Sequence, residues 1–160
     1  ILYHRDLHAA VMVRQFRPSV YASTQARQGE DKLALTEGIT YELCAGLADK
    51  SGKDLSETAA EEVLEECGYR VTPESLTKIS SHVSSVGLSG SVQTTFAAEI
   101  DESMREGDGG GLAHDGEAIQ VLALPLSQAK AFTFDDSIPK SLGLMYGLQW
   151  LREKYGRDGE

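Results

Sequence analysis

Residues 46–69 read GLADKSGKDLSETAAEEVLEECGY, and the second half of the stretch crowds together Glu61, Glu62, Glu65 and Glu66. The spacing predicts a helix over residues 55–67. Asp54 with Glu57 three residues later is a variant of the capping box that opens helices. Ala59, Ala60, Val63, Leu64 and Cys67 form an apolar stripe at intervals of three and four. Gly68 stands where a left-handed C-terminal cap belongs. On such a helix Glu62 stacks with Glu66 and Glu61 with Glu65, each like-charge pair costing about 0.2–0.5 kcal/mol. The last turn carries partial negative charge, so Glu65 and Glu66 are each worse placed by roughly 0.3–1 kcal/mol. No Lys or Arg lies between Lys53 and Arg70 to relieve this. A solvated acidic face is the bland alternative, yet a helix built only for stability would not choose this arrangement. Oxygens converging from one face are what a hard divalent cation requires.

Upstream, residues 39–44 (ITYELC) read as a strand running into Ala45 and Gly46. Residues 8–16 (HAAVMVRQF) read as an earlier, mostly apolar strand, with Arg14 and Arg17 at its exit. Between them, residues 22–37 are polar and turn-rich and are expected to form a loop. Downstream, residues 76–86 and 93–100 look like strands around a glycine-serine loop containing Ser89 and Gly90. Residues 106–116 form a second loop, very rich in glycine and acid, before a strand over residues 118–124. A closing helix is expected over residues 139–154, with Leu142, Met145, Leu148 and Leu151 or Trp150 on its buried side. Strands alternating with helices argue for an α/β layered domain, and 160 residues fit one.

The chain carries 25 acidic against 15 basic residues, a balance that argues against a nucleic-acid backbone as partner. A small phosphorylated substrate stays open, because a divalent cation can supply the positive charge. No run of about 18 apolar residues exists, so no membrane-spanning segment is expected. The sequence starts at Ile1 rather than Met, as a fragment would, and no signal peptide is visible. Cys44 and Cys67 are isolated and read as free thiols of a reducing cytoplasm.

The box at residues 46–69 resembles that of the Nudix hydrolases. Their pattern is a glycine, five residues, a glutamate, seven residues, then Arg-Glu-apolar-x-Glu-Glu-x-Gly-apolar. Glu62, Val63, Glu65, Glu66, Gly68 and Tyr69 match its second half. The box departs in three places: its loop holds one extra residue, Lys53 stands where the first glutamate is expected, and Glu61 replaces the arginine. The segments VRQFRPSVY (13–21), YELCAGLADK (41–50), VGLSGSVQT (86–94), GGGLAHDGEAIQVLALPL (109–126) and IPKSLG (138–143) are similar to the branch that cleaves nucleotide sugars.

The resemblance implies a Nudix fold, an α/β/α sandwich with a mixed sheet. It implies magnesium-dependent hydrolysis of a nucleotide sugar, uridine diphosphate glucose giving uridine monophosphate and glucose 1-phosphate, with manganese a possible substitute metal. The implied ligands are Glu62 and Glu66, one helical turn apart, completed by Glu65 and the carbonyl of Ala45. Glu117, behind the glycine-rich loop, matches a mobile acidic residue that joins the metal or acts as general base. Asp115 is the second candidate for base and His114 a weaker third, while Glu65 belongs to the same catalytic set. Arg17, and less clearly Arg14, would hold the substrate's phosphates, guanidinium matching phosphate in bidentate geometry. Glu42 would bond the sugar or orient Arg17, and Ser89 and Gly90 lie in a loop that could approach the ligand. A homodimer is expected too, because Leu142, Leu144, Met145, Tyr146, Leu148, Trp150 and Leu151 cover more than one face of the closing helix. The strand before Arg17 is also apolar on both sides. Competing readings are hydrolysis of ADP-ribose and a Nudix-fold sensor that binds nucleotide sugars without cleaving them.

Overall fold

The computed structural model describes residues 1–29, 32–48, 52–112, 114 and 116–157. The short strand β1 (Leu2–His4) is followed by β2 (Ala9–Phe16), whose sequence AAVMVRQF is buried over its first five residues. The two-residue alternation of side chains explains that burial. Val11 and Val13 face one core, with Leu2, Ala98 and Ile100, whereas Ala10 and Met12 face another with Leu124. After the helix α1 (Pro18–Gln28) come β3 (Ile39–Glu42), the helix α2 (Leu55–Cys67), β4 (Thr77–Val83), β5 (Val92–Ile100) and β6 (Gln120–Pro125). Two helices close the order, α3 (Leu126–Phe134) and α4 (Leu142–Tyr155).

The sheet is organised around β2. One edge carries β6 antiparallel from Ala9 opposite Pro125 to Arg14 opposite Gln120. The other takes β1 at its start and β3 at its end, both antiparallel. β1 pairs in parallel with β5, which pairs antiparallel with β4, so the sheet is mixed. α2 covers one face through Ala60, Val63 and Cys67. α3 and α4 cover the opposite face through Leu126, Ala129, Leu144, Leu148 and Leu151. Each fully buried aliphatic side chain contributes about 1.5–3 kcal/mol. The result is the expected α/β/α sandwich. Among the described residues, no helix is long and apolar enough to cross a membrane.

Several expectations need correction. Residues 22–28, expected as loop, belong to α1, which opens on Pro18 and ends on the left-handed Gly29. None of its residues is buried, so it carries no apolar stripe for periodicity to detect. Leu142 was expected on the buried side of the closing helix but is 79 % exposed, and Leu144 takes the core position. β2 is apolar on both sides because the chain's own helices cover both faces, so that feature needs no partner. β1 and α3 were not anticipated: one is three residues long, and the other follows β6 without a break.

Candidate active site

α2 begins as the sequence indicated. The Asp54 carboxylate accepts from the backbone amides of Ser56 and Glu57 at 2.8 Å each, and Glu57 accepts from the Asp54 amide at 2.8 Å. The helix ends at Gly68, whose φ of 77° is left-handed. Between these caps Val63 and Cys67 point into the core, which turns Glu62 and Glu66 toward the end of β3.

There the backbone comes very close to the helix. A Cβ at Gly46 would lie 2.1 Å from Cδ of Glu62, so only glycine leaves room for that carboxylate. The Ala45 amide donates to Oε2 of Glu66 at 3.1 Å. Glu66 is only 3 % exposed, and burial pushes its carboxyl up to about 7, with the charges of Glu62 and Glu117 adding to the rise. Bonds from the Cys44 thiol and the Ala45 amide pull the other way without compensating. Cys44 and Cys67 are both free thiols, and they lie close enough to influence each other's ionisation. That proximity, with burial and the nearby Glu66 charge, holds the Cys44 thiol well above its ordinary range.

Arg17 and Glu42 form a two-pronged pair, Nε donating to Oε1 at 2.8 Å and Nη2 to Oε2 at 2.7 Å. Burial works against ionisation of Glu42, but the bonds from Arg17 and Thr40 outweigh it and keep the carboxyl below its usual range. The bond to Glu42 raises Arg17, and the charges of Glu66 and Glu117 reinforce the rise, so Arg17 lies within electrostatic reach of both. Of the two roles read for Glu42, orienting Arg17 is the one seen. Arg14 instead stacks on Tyr41, its Cζ 5.8 Å from the ring centre and Nη1 3.4 Å from the hydroxyl.

The glycine-rich segment is tied to α2. Gly110 donates to the Glu66 carbonyl at 2.9 Å, Gly111 to Glu65 at 3.1 Å, and Glu106 to Gly68 at 2.8 Å. These bonds satisfy carbonyls that a helix end leaves without partners. The approach needs glycine: at Gly109, φ is 68° and a Cβ would fall 2.2 Å from the Glu66 carbonyl oxygen. Glu117 follows, its Oε2 accepting from the Leu112 amide at 2.7 Å. The loop expected to be mobile is thus anchored on the carboxylate helix at its start.

Sequence reasoning therefore named residues that the fold does gather: Ala45, Glu62, Glu66, Glu117 and Arg17 with Glu42. Glu65 is partly exposed on the same helix, and His114 is exposed. Asp115 lies outside the described residues. Ser89 sits at the exposed tip between β4 and β5, where its partners are Ser85 and Ser91. Sequence reasoning missed the braces: the thiols behind Glu66, the glycine amides on its carbonyl, and Lys53, which bonds Glu61. The opposite charges of Lys53 and Glu61 were the one available signal for that last pair.

The donor set suits a hard cation. Glu66 is a buried carboxylate with little to stabilise its charge, and Glu62 stands one turn away beside the Ala45–Gly46 backbone. Among the described residues no three acidic, histidine or cysteine side chains converge closely enough to cage a cation alone. Magnesium does not require this, being held by one or two carboxylates together with waters and substrate phosphates.

A mixed sheet between helices, with a glycine-to-glutamate box that brings Glu62 and Glu66 against the Ala45–Gly46 backbone, defines the scaffold, and comparison with known proteins assigns its class. The chain belongs to the Nudix hydrolase family. It is 42 % identical over 165 residues to the bovine uridine diphosphate glucose pyrophosphatase, covering 94 % of this chain and 74 % of that protein. The mouse protein of the same name is 39 % identical with the same coverage. A GDP-mannose pyrophosphatase of Pectobacterium atrosepticum is 34 % identical over 146 residues, or 91 % of this chain and 67 % of its own. No protein-family model matches the chain.

Proposed function

We propose that the chain hydrolyses the diphosphate of a nucleotide sugar, with uridine diphosphate glucose as the leading substrate. The observation that carries this is the meeting of Glu62 and Glu66 with the Ala45–Gly46 backbone, within charge reach of Glu117 and Arg17. The relatives' names supply the substrate class. Water attacks one phosphorus, the bridging P–O bond breaks, and uridine monophosphate and glucose 1-phosphate leave.

Each residue has a task in that step. Arg17, held in place by Glu42, binds phosphate oxygens, with Arg14 further along β2 as an auxiliary cation. Glu117 takes the proton from the attacking water, and Asp115 is the alternative base. Glu62, Glu66, Glu65 and the Ala45 carbonyl, joined by Glu117, would hold magnesium or manganese, which when bound offsets phosphoryl charge and acidifies a coordinated water.

The working unit is a homodimer. Leu142 and Tyr146 on α4 stay exposed, as do Val83, Val86, Leu88 and Val92 around the β4–β5 tip, more apolar surface than a lone domain needs. Ser89, at that tip, would reach the substrate held by the other subunit. A fully active species sedimenting near the 17.3 kDa chain mass would refute the dimer.

Chromatography of products from a panel of nucleotide sugars with magnesium tests the activity. The expected products are uridine monophosphate and glucose 1-phosphate. Preference for ADP-ribose or GDP-mannose by about tenfold, about 1.4 kcal/mol, would overturn the substrate while leaving the chemistry. Tight binding without any cleavage would establish a sensor instead.

A further inference from the structure

Two of the box's departures from the family pattern have opposite sign. Lys53 replaces an acid and Glu61 replaces an arginine, so both charges are reversed together. The structure joins these two side chains, Lys53 Nζ bonding Oε1 of Glu61. Lys53 directly precedes the N-cap Asp54, while Glu61 lies seven residues further on, roughly 10 Å along the axis. The two side chains therefore reach toward each other along the first turns of the helix.

The two side chains are 40 % and 37 % exposed, and a pair so exposed adds little to stability. Its position suits another task. Glu61 lies four residues before Glu65, so its charge without Lys53 would press on Glu65, and how its side chain is held bears on the setting of Glu62, the next residue of the same turn. The Glu62 carboxylate fills the space that a side chain at Gly46 would take, and Lys53 bonds the neighbouring Glu61. We propose that Lys53 and Glu61 are a charge-reversed positioning pair, each departure compensating the other, which sets the helix so that Glu62 can bind the cation. The proposal rests on Glu62 acting as a ligand, as in the function proposed above.

A charge-swap cycle tests it with Lys53→Glu, Glu61→Arg and the double variant, whose net charge equals the parent's. Three quantities are measured: Mn2+ affinity by calorimetry without substrate, kcat and KM for uridine diphosphate glucose, and thermal stability. Each single variant is expected to weaken Mn2+ binding and lower kcat by about fivefold or more, with KM and melting temperature little changed. The double variant is expected to return both to within about twofold. A simple field effect gives a different pattern, because Lys53→Glu adds negative charge near the cation and would tighten binding while Glu61→Arg loosens it. That opposite pattern, silent single variants, or additive losses in the double variant would each overturn the pairing. A parent that binds Mn2+ with full coupling but cleaves no nucleotide sugar would instead refute the function and leave the pair standing.

Discussion

A single methyl group at Gly46 should separate catalysis from stability in this protein. In Gly46→Ala the new Cβ would stand 2.1 Å from Cδ of Glu62 and 2.2 Å from its Oε1. Carbon atoms pack at about 3.5–4 Å, so the carboxylate must retreat by at least about 1 Å. Retreat is cheap for the fold, because the clashing group is the far end of a flexible side chain. Gly46 also lacks a positive φ, so alanine fits its backbone. Replacing a glycine there even stiffens the unfolded chain, worth about 0.4–1 kcal/mol of stability. The chemistry has no such freedom. A misplacement of about 1 Å at a reacting centre can cost about 100-fold, or about 2.7 kcal/mol of transition-state stabilisation.

The assay is steady-state hydrolysis of uridine diphosphate glucose with magnesium, beside thermal denaturation of the same samples. Gly87→Ala is the control, since a Cβ there meets nothing within 4 Å and the backbone is ordinary. The expected result is a loss in kcat near two orders of magnitude for Gly46→Ala at an unreduced melting temperature, with Gly87→Ala like the parent in kcat. Activity within about threefold of the parent would show that the Glu62 position beside Gly46 has no part in catalysis.

Two further outcomes follow from the carboxylates. Because burial raises Glu66 to about 7, the metal-free fold holds a proton that the unfolded chain releases near 4.5, so this group's stabilisation is present at low pH and is lost as pH rises through 7. The shift corresponds to at most about 3 kcal/mol. Denaturant melts of the parent from pH 5 to 8 should show that loss, while Glu66→Gln stays flat, is the more stable protein at pH 8, and is nearly inactive. Identical pH profiles for the two would sink the assignment of the buried charge. Glu117→Gln should lower kcat far more than it raises KM, as expected of a proton acceptor. A loss confined to KM would move Glu117 into substrate binding.

Legibility from sequence followed how each feature is encoded. α2 was readable to its exact ends because caps, stripe and terminal glycine are all local signals. β2 and β3 were readable from runs of apolar and β-branched residues. α1 was not, since a helix with no buried residue leaves no period, and α3 was hidden because it continues directly from β6. At the site, residue types and spacing picked out Glu62 and Glu66, and the family resemblance added Glu117, but neither showed what supports them. That Cys44 lies near Cys67, or that Gly110 donates to Glu66, depends on chain crossings 23 and 44 residues apart, which no local pattern records.

Those crossings explain how a helix so poorly charged for stability can exist. Its liabilities are of two kinds, and different parts of the chain answer them. The mutual repulsion of its glutamates is reduced at Glu61 by Lys53, from the loop before the helix. The carbonyls of the last turn, which would deepen the negative potential around Glu65 and Glu66, are bonded by the amides of Gly111 and Gly110. What remains concentrates on Glu66, where one amide and one thiol do not offset burial and the charges of Glu62 and Glu117. The burden that these contacts leave thus falls on Glu66, on the side of the helix that faces the Ala45–Gly46 backbone. A helix under selection for stability alone would be relieved there first, because a buried carboxylate is its costliest member. A buried carboxylate held protonated at Glu66, beside a backbone cleared of side chains at Gly46, is what a site that takes positive charge from a bound cation requires.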